Sequence, residues 1–135
     1  MLRINYLAVV VAAVAFFGVG ALWYSPLLFG NAYMRLRGIT SAATTNAQIP
    51  VGGIISELVR GLVVAYVLAR LLILLGVNNW LGAAQLGLWL WIGFPVMILL
   101  SSVIHENVPW PLAAIHSGDW FVKITLMTVL LGVWR

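Results

Sequence analysis

The stretch WLGAAQLGLWLWIGFPVMILLSSVI, residues 80–104, carries no charged side chain and sits inside an uncharged block covering residues 71–105. A bilayer core of about 30 Å asks for about 20 apolar residues at 1.5 Å each, and this stretch exceeds that length. It reads as a membrane-crossing helix. Working outward, three further stretches of similar length emerge. Residues 6–24 are free of charge, and the charge-free region around them extends over residues 4–34. Residues 51–77 carry Glu57, Arg60 and Arg70, and residues 111–134 carry His116, Asp119 and Lys123. The expected fold is all-α: a polytopic membrane protein forming one four-helix transmembrane domain over residues 1–135, arranged as two antiparallel hairpins.

The composition agrees with that reading. Of 135 residues, 64% are hydrophobic and 7% charged, against roughly 25% charged in an average soluble domain. With a mean hydropathy of +1.10, the polar surface needed to cover a water-facing globule is missing, so a soluble enzyme of ordinary kind is excluded. The net charge is +4, but the basic residues are scattered singly between apolar runs, which argues against nucleic acid as a partner. The chain has no cysteine, hence no disulfide, no thiolate metal site and no cysteine catalysis. Met1-Leu2-Arg3 ahead of an Ala/Val-rich run resembles a secretory signal, with Gly18-Val19-Gly20 as a cleavage site. The run continues to Trp23 and Tyr24, however, interfacial residues that suit an anchor, and three more spans follow.

The links are short where turn residues cluster. Gly76-Val77-Asn78-Asn79 joins the second and third spans; a segment around Asn107-Val108-Pro109 joins the third and fourth, with Pro111 opening the last helix. Loop 25–50 divides into an amphipathic segment, residues 27–37, expected as a short interfacial helix, and a polar part, residues 40–48. Tyr6, Trp80 and Trp134 thread to one membrane face, and Trp23, Tyr24 and Trp110 to the other. Trp89, Trp91 and Trp120 fall deeper and are expected to pack between helices. Arg3, Arg70 and Arg135 lie toward one face and Arg35, Arg37 and Arg60 toward the other, so the positive-inside count is a tie.

Five ionisable residues form the candidate site: Glu57, Arg60, His116, Asp119 and Lys123. Counted from Val51 and Pro111 on the same face, they fall at matching depths, about 8 to 18 Å from the interface at 1.5 Å per residue. His116, Asp119 and Lys123 follow an i, i+3, i+7 spacing and share one helical stripe. Asp and Lys cost about 2.5 to 3.5 kcal/mol each at a helix centre, while each apolar residue of the span returns about 0.3 to 0.6. The fourth helix is therefore marginal alone, and the stripe must face protein or water. Asp119 needs a cation, either Lys123 four residues on or Arg60 across the bundle.

Two readings of the cluster stand side by side. The acids and bases are neutralised pairs that fix helix register, or they line a polar path for a proton, ion or small solute. Arg70 and Gln85, on opposite arms of the hairpin around Asn78, form a second polar pair expected to hydrogen-bond. Gly61, Ala65 and Ala69 on the second span, and Ala8 with Ala12 on the first, form small-residue stripes for close helix approach, inside one bundle before a dimer. No catalytic residue is assigned, and neither a metal nor another cofactor is expected. His116 and His105 are isolated, three acids and two histidines are too few for a dimetal site, and Ser117 points about 100° away from its neighbour His116.

Two segments carry a family resemblance: Gly20-Ala21-Leu22-Trp23-Tyr24-Ser25-Pro26-Leu27-Leu28-Phe29-Gly30, followed by Met34 and Arg35, and Ile115-His116-Ser117-Gly118-Asp119-Trp120, followed by Met127 and Gly132-Val133-Trp134. They resemble a bacterial family of small membrane proteins classed as a domain of unknown function, the 1761 family of that series. The resemblance implies four membrane helices and a multi-pass place in the bacterial inner (cytoplasmic) membrane. It transfers no activity and no catalytic residue. The sequence departs from that family's pattern at His116, where Asn is frequent, and at Asp119, where an aromatic residue is frequent.

The first function expected is a small, non-enzymatic integral membrane protein, an oligomeric interaction or accessory subunit with buried ion pairs. Its partners are the lipid bilayer and either further copies of itself or a membrane complex. Its sign is dry, closed packing around Asp119. The alternative is a channel or proton-linked transporter with a polar pathway between helices two and four, whose sign is a cavity reaching a face. A membrane enzyme ranks last, because no acid, base and nucleophile set is visible.

Overall fold

The computed structural model describes residues 4–25, 28–36 and 51–134, apart from the side chains of Met34 and Val51. Arg3, Arg37, Arg135 and the polar link over residues 40–48 lie outside the described residues. Among the described residues the chain is all-helical and contains no strand.

Helix α1 (Tyr6–Trp23) starts where Asn5, in an extended conformation, accepts a 3.2 Å hydrogen bond from the Ala8 N–H through its Oδ1, a cap worth about 1 kcal/mol. Ala8, Val9, Ala12, Ala13 and Phe16 are its buried residues, the single stripe that a 3.6-residue period produces. The chain then turns tightly. The Phe29 N–H donates to Trp23 O and the Gly30 N–H to Ser25 O, so that a Cβ on residue 30 would lie 2.5 Å from Tyr24 O. Only glycine fits there. Helix α2 (Gly30–Leu36) follows, beginning inside the segment expected to be helical over residues 27–37.

Helix α3 (Val51–Leu74) ends at Gly76, whose φ of +68° lets the Val77 N–H return to Leu72 O at 2.9 Å, a glycine-terminated cap. Asn79 then caps α4 (Trp80–Trp91), its Oδ1 accepting from the Gly82 N–H at 2.6 Å. What the sequence presents as one uniform span is broken here. A π-helical turn, Ile92–Val96, contains Pro95 and precedes α5 (Met97–His105). Proline has no N–H to donate and its ring crowds the preceding turn, and a wider turn accommodates both. Asn107, at φ 56°, reverses the chain into α6 (Trp110–Val133), with Pro111 in the first turn.

Helix α6 is the axis of the bundle, packed by α1, α3, α4, α5 and α2. Helix α1 lies antiparallel against α3, and Gly61 meets Ala13 and Phe16 at their contact; a Cβ on Gly61 would sit 3.0 Å from the Phe16 ring. The small-residue stripes of α1 and α3 thus meet inside the chain, with Ala8, Ala12, Ala65 and Ala69 all buried. Helix α4 approaches α6 through a second set of small residues that the sequence reading passes over. A Cβ on Gly87 would be 2.8 Å from Thr128 Oγ1, and one on Gly132 would be 2.7 Å from the Ala83 Cβ. Both helices carry small residues four apart at this crossing.

Some expectations are corrected. Helices α3 and α4, though joined by a tight turn, do not pack along each other; α4 runs along α6 instead. Arg70 and Gln85 are accordingly both exposed, and no hydrogen bond joins them. Trp89 is 71% exposed, while Trp91 and Trp120 pack against Phe121 and Phe16 as expected of inter-helix residues. Two helices, Tyr6–Trp23 and Trp80–His105, are long and apolar enough to cross a membrane. Glu57, Arg60 and Arg70 interrupt α3, and His116, Asp119 and Lys123 interrupt α6.

Candidate functional site

The three ionisable residues of α6 lie on the side facing α1 and α3. Asp119 and Lys123 are 3% and 4% exposed, and Lys123 Nζ donates to Asp119 Oδ2 at 2.9 Å. Of the two cations open to Asp119, the intrahelical one is used. Arg60 pairs instead with Glu57, one turn away on α3, and that pair is exposed.

The Lys123 ammonium is enclosed by aromatic faces, 4.2 Å from the Phe16 ring centre and 5.6 Å from that of Trp120. Such faces offer a cation some of the stabilisation it gives up with water. Gly20 makes the space: a Cβ there would lie 3.2 Å from Lys123 Nζ. Asp119 is less well served. Its Oδ2 takes the Lys123 bond and a long 3.4 Å contact from the Tyr24 hydroxyl, while Oδ1 is buried with no hydrogen-bond partner. A carboxylate oxygen in that position costs free energy until a donor arrives.

Tyr24 also lies 2.6 Å from His116 Nδ1. A phenol has one proton to donate and two lone pairs to accept with. Both contacts are hydrogen bonds when His116 carries its proton on Nδ1 and donates to Tyr24, which then donates to Asp119. With the other tautomer, Tyr24 donates to His116 and Asp119 keeps Lys123 alone. Tyr33 of α2 stacks edge-on against Tyr24 at 4.9 Å and against His116 at 5.6 Å, so the short helix covers one side of this chain of groups.

The backbone of α6 is held by two indoles. Trp23 Nε1 donates to Ile115 O at 2.9 Å, and Trp91 Nε1 donates to Ser117 O at 2.8 Å. Gly118 gives the first indole its seat, since a Cβ would lie 2.7 Å from the Trp23 ring. Between α1, α3 and α6 lies a half-open cavity of about 390 Å³, into which Glu57, Arg60, His116, Asp119 and Lys123 all face, together with Tyr24, Tyr33 and Trp120. All five expected residues therefore border one space, with Asp119 and Lys123 at the buried side and Glu57 and Arg60 at the exposed side. Beyond Lys123 the packing is continuous through Phe16, Ala12, Met127 and Leu131. No group of three His, Cys, Asp or Glu side chains suited to a metal ion occurs among the described residues.

Tyr24, Tyr33, Gly20 and Gly118 are the site residues that reasoning from charge misses. Gly20, Tyr24 and Gly118 fall in the two separated segments, residues 20–30 and 115–120, which the fold brings face to face, and Tyr33 lies beyond the first of them. The family profile described as "Protein of unknown function (DUF1761)" matches residues 7–132. No curated protein and no solved structure matches the chain.

Proposed function

The chain belongs to this family of unknown function, and from its architecture we propose a four-helix integral membrane protein of the bacterial cytoplasmic membrane. Its one-sided polar cavity admits a small polar solute in a proton-linked step. The membrane setting is supported by the outer surface. Helix Trp80–His105 carries no Asp, Glu, Lys or Arg, yet only 6% of its most apolar window is buried within the chain, whereas the core helix of a soluble protein is covered. Leu74, Trp89, Ile98 and Trp110 are each at least 65% exposed, a surface that lipid solvates and water does not.

The observation that carries the functional reading is the buried Asp119–Lys123 pair, which borders the cavity instead of being sealed in dry packing. Ionisable groups at membrane depth are costly and mark pathways. His116, Tyr24 and Asp119 add a run of groups able to exchange protons. The continuous packing beyond Lys123 closes the far side, which supports access from one face at a time over an open pore. The reading is non-enzymatic. Purified protein in liposomes, loaded with a pH-sensitive dye and subjected to a proton gradient, tests it. Expected is proton flux above that of empty vesicles, reduced by Asp119→Asn. Flux equal to empty vesicles under every imposed gradient would sink the proposal.

A second reading, an oligomer or accessory subunit, draws on the bare outer face of α4 and α5. Cysteine cross-linking at Trp89 in membranes tests it: specific dimers support it, and monomer alone removes that face as an interface.

A further inference from the structure

A separate concavity lies where α2 crosses the first turns of α6. It encloses about 520 Å³ and is walled by Phe29, Leu36, Trp110, Pro111 and Ile115, with Arg35 as its charged residue. The Arg35 side chain is exposed, and no carboxylate pairs with it among the described residues. Trp110, at the opening of α6, is 73% exposed. The groove is thus apolar along its walls and cationic at one place.

We infer that this groove binds an anionic phospholipid, with an acyl chain along Phe29, Leu36 and Trp110 and the phosphate on Arg35. This rests on the membrane reading above. The chemistry selects the occupant. A free phosphate satisfies Arg35 and leaves the apolar walls wet; a hydrocarbon without charge fills the walls and leaves the guanidinium unpaired. Arginine matches a phosphate with paired N–H donors. The location agrees: Trp23 and Tyr24, ending α1, lie at the same end of the bundle as Trp110, where amphipathic rings meet the headgroup level.

The test is fluorescence quenching of the full chain in phosphatidylcholine vesicles that contain either brominated phosphatidylglycerol or brominated phosphatidylcholine. The Trp110 signal is taken as the difference between the wild type and Trp110→Phe. Expected is stronger quenching of Trp110 by the anionic lipid, corresponding to about fivefold enrichment, the factor that one basic side chain near a membrane surface is worth. Arg35→Gln is expected to remove that preference, and millimolar inorganic phosphate to leave it intact. Arg35 is exposed, so the variant keeps its fold, checked by helical circular dichroism. Equal quenching by both lipids, or reversal by inorganic phosphate, overturns the inference. So does an unquenched Trp110 beside a quenched Trp89, which would mean that another protein surface covers the groove. If neither tryptophan is quenched, the membrane reading itself falls.

Discussion

Tyr24 and His116, 92 positions apart in the chain, share a 2.6 Å hydrogen bond. The contact ties the end of α1 to the first half of α6 and places the phenol oxygen between an imidazole and a buried carboxylate. Whichever group Tyr24 donates to, the other feels the choice.

Tyr24→Phe keeps the ring against Tyr33 and removes the hydroxyl from both partners. The expected loss is about 1 to 3 kcal/mol, the cost of leaving buried polar groups short of a partner. Unfolding of the purified protein in mixed micelles measures it. In liposomes the same variant is expected to slow proton flux.

Asp119→Asn leaves the Lys123 ammonium buried among Phe16 and Trp120 without its counter-charge. Removing half of a buried pair costs about 3 to 5 kcal/mol. Asp119→Leu combined with Lys123→Met removes both charges and is expected to recover most of that loss while abolishing flux. Thermal denaturation in detergent compares the three proteins; an unchanged midpoint in Asp119→Asn contradicts the ion-pair account.

Gly118→Ala places a methyl group 2.7 Å from the Trp23 ring. The indole must move, breaking its bond to Ile115 O, with an expected cost of about 1 to 3 kcal/mol and a shift in tryptophan emission. Gly18→Ala is the control, since nothing lies within 4 Å of a Cβ there. It is expected to stabilise α1 by about 0.5 to 1 kcal/mol.

Arg60→Gln removes an exposed ion pair with Glu57. Its effect on stability is expected to stay below about 1 kcal/mol. A clear change in flux at unchanged stability would place Arg60 on the path of the solute, because it borders the cavity without holding the bundle together.

Periodicity and charge made the long helices and the polar stripe of α6 legible. An i, i+3, i+7 spacing puts His116, Asp119 and Lys123 on one face whatever surrounds them. The partners of that stripe were not legible in the same way. Helix α1 is apolar on every side, so nothing in its pattern shows that Gly20 makes room for an ammonium or that Tyr24 turns toward His116. Those contacts depend on how two helices approach, which pattern alone does not determine. The turn around Pro95 sits in plain view within residues 80–104, yet the uniform hydropathy of that stretch hides the break. Arg70 and Gln85 failed for a related reason. A short link fixes the reversal of direction between two helices but not their contact, and α4 found its small-residue match on α6.

Helix α6 is the common neighbour of the others and follows all of them in the chain. During synthesis the earlier segments therefore leave the ribosome before the rod that unites them exists, and Gly61 against Phe16 is among the few tight crossings that α1 and α3 can make while waiting. Helix α6, with its Asp119–Lys123 pair, arrives to find Gly20, Trp23 and Tyr24 already translated, so a docking surface for its polar side is at hand as it emerges. Nascent-chain order and bundle geometry thus work together, the buried ion pair folding in once its shelter has been made.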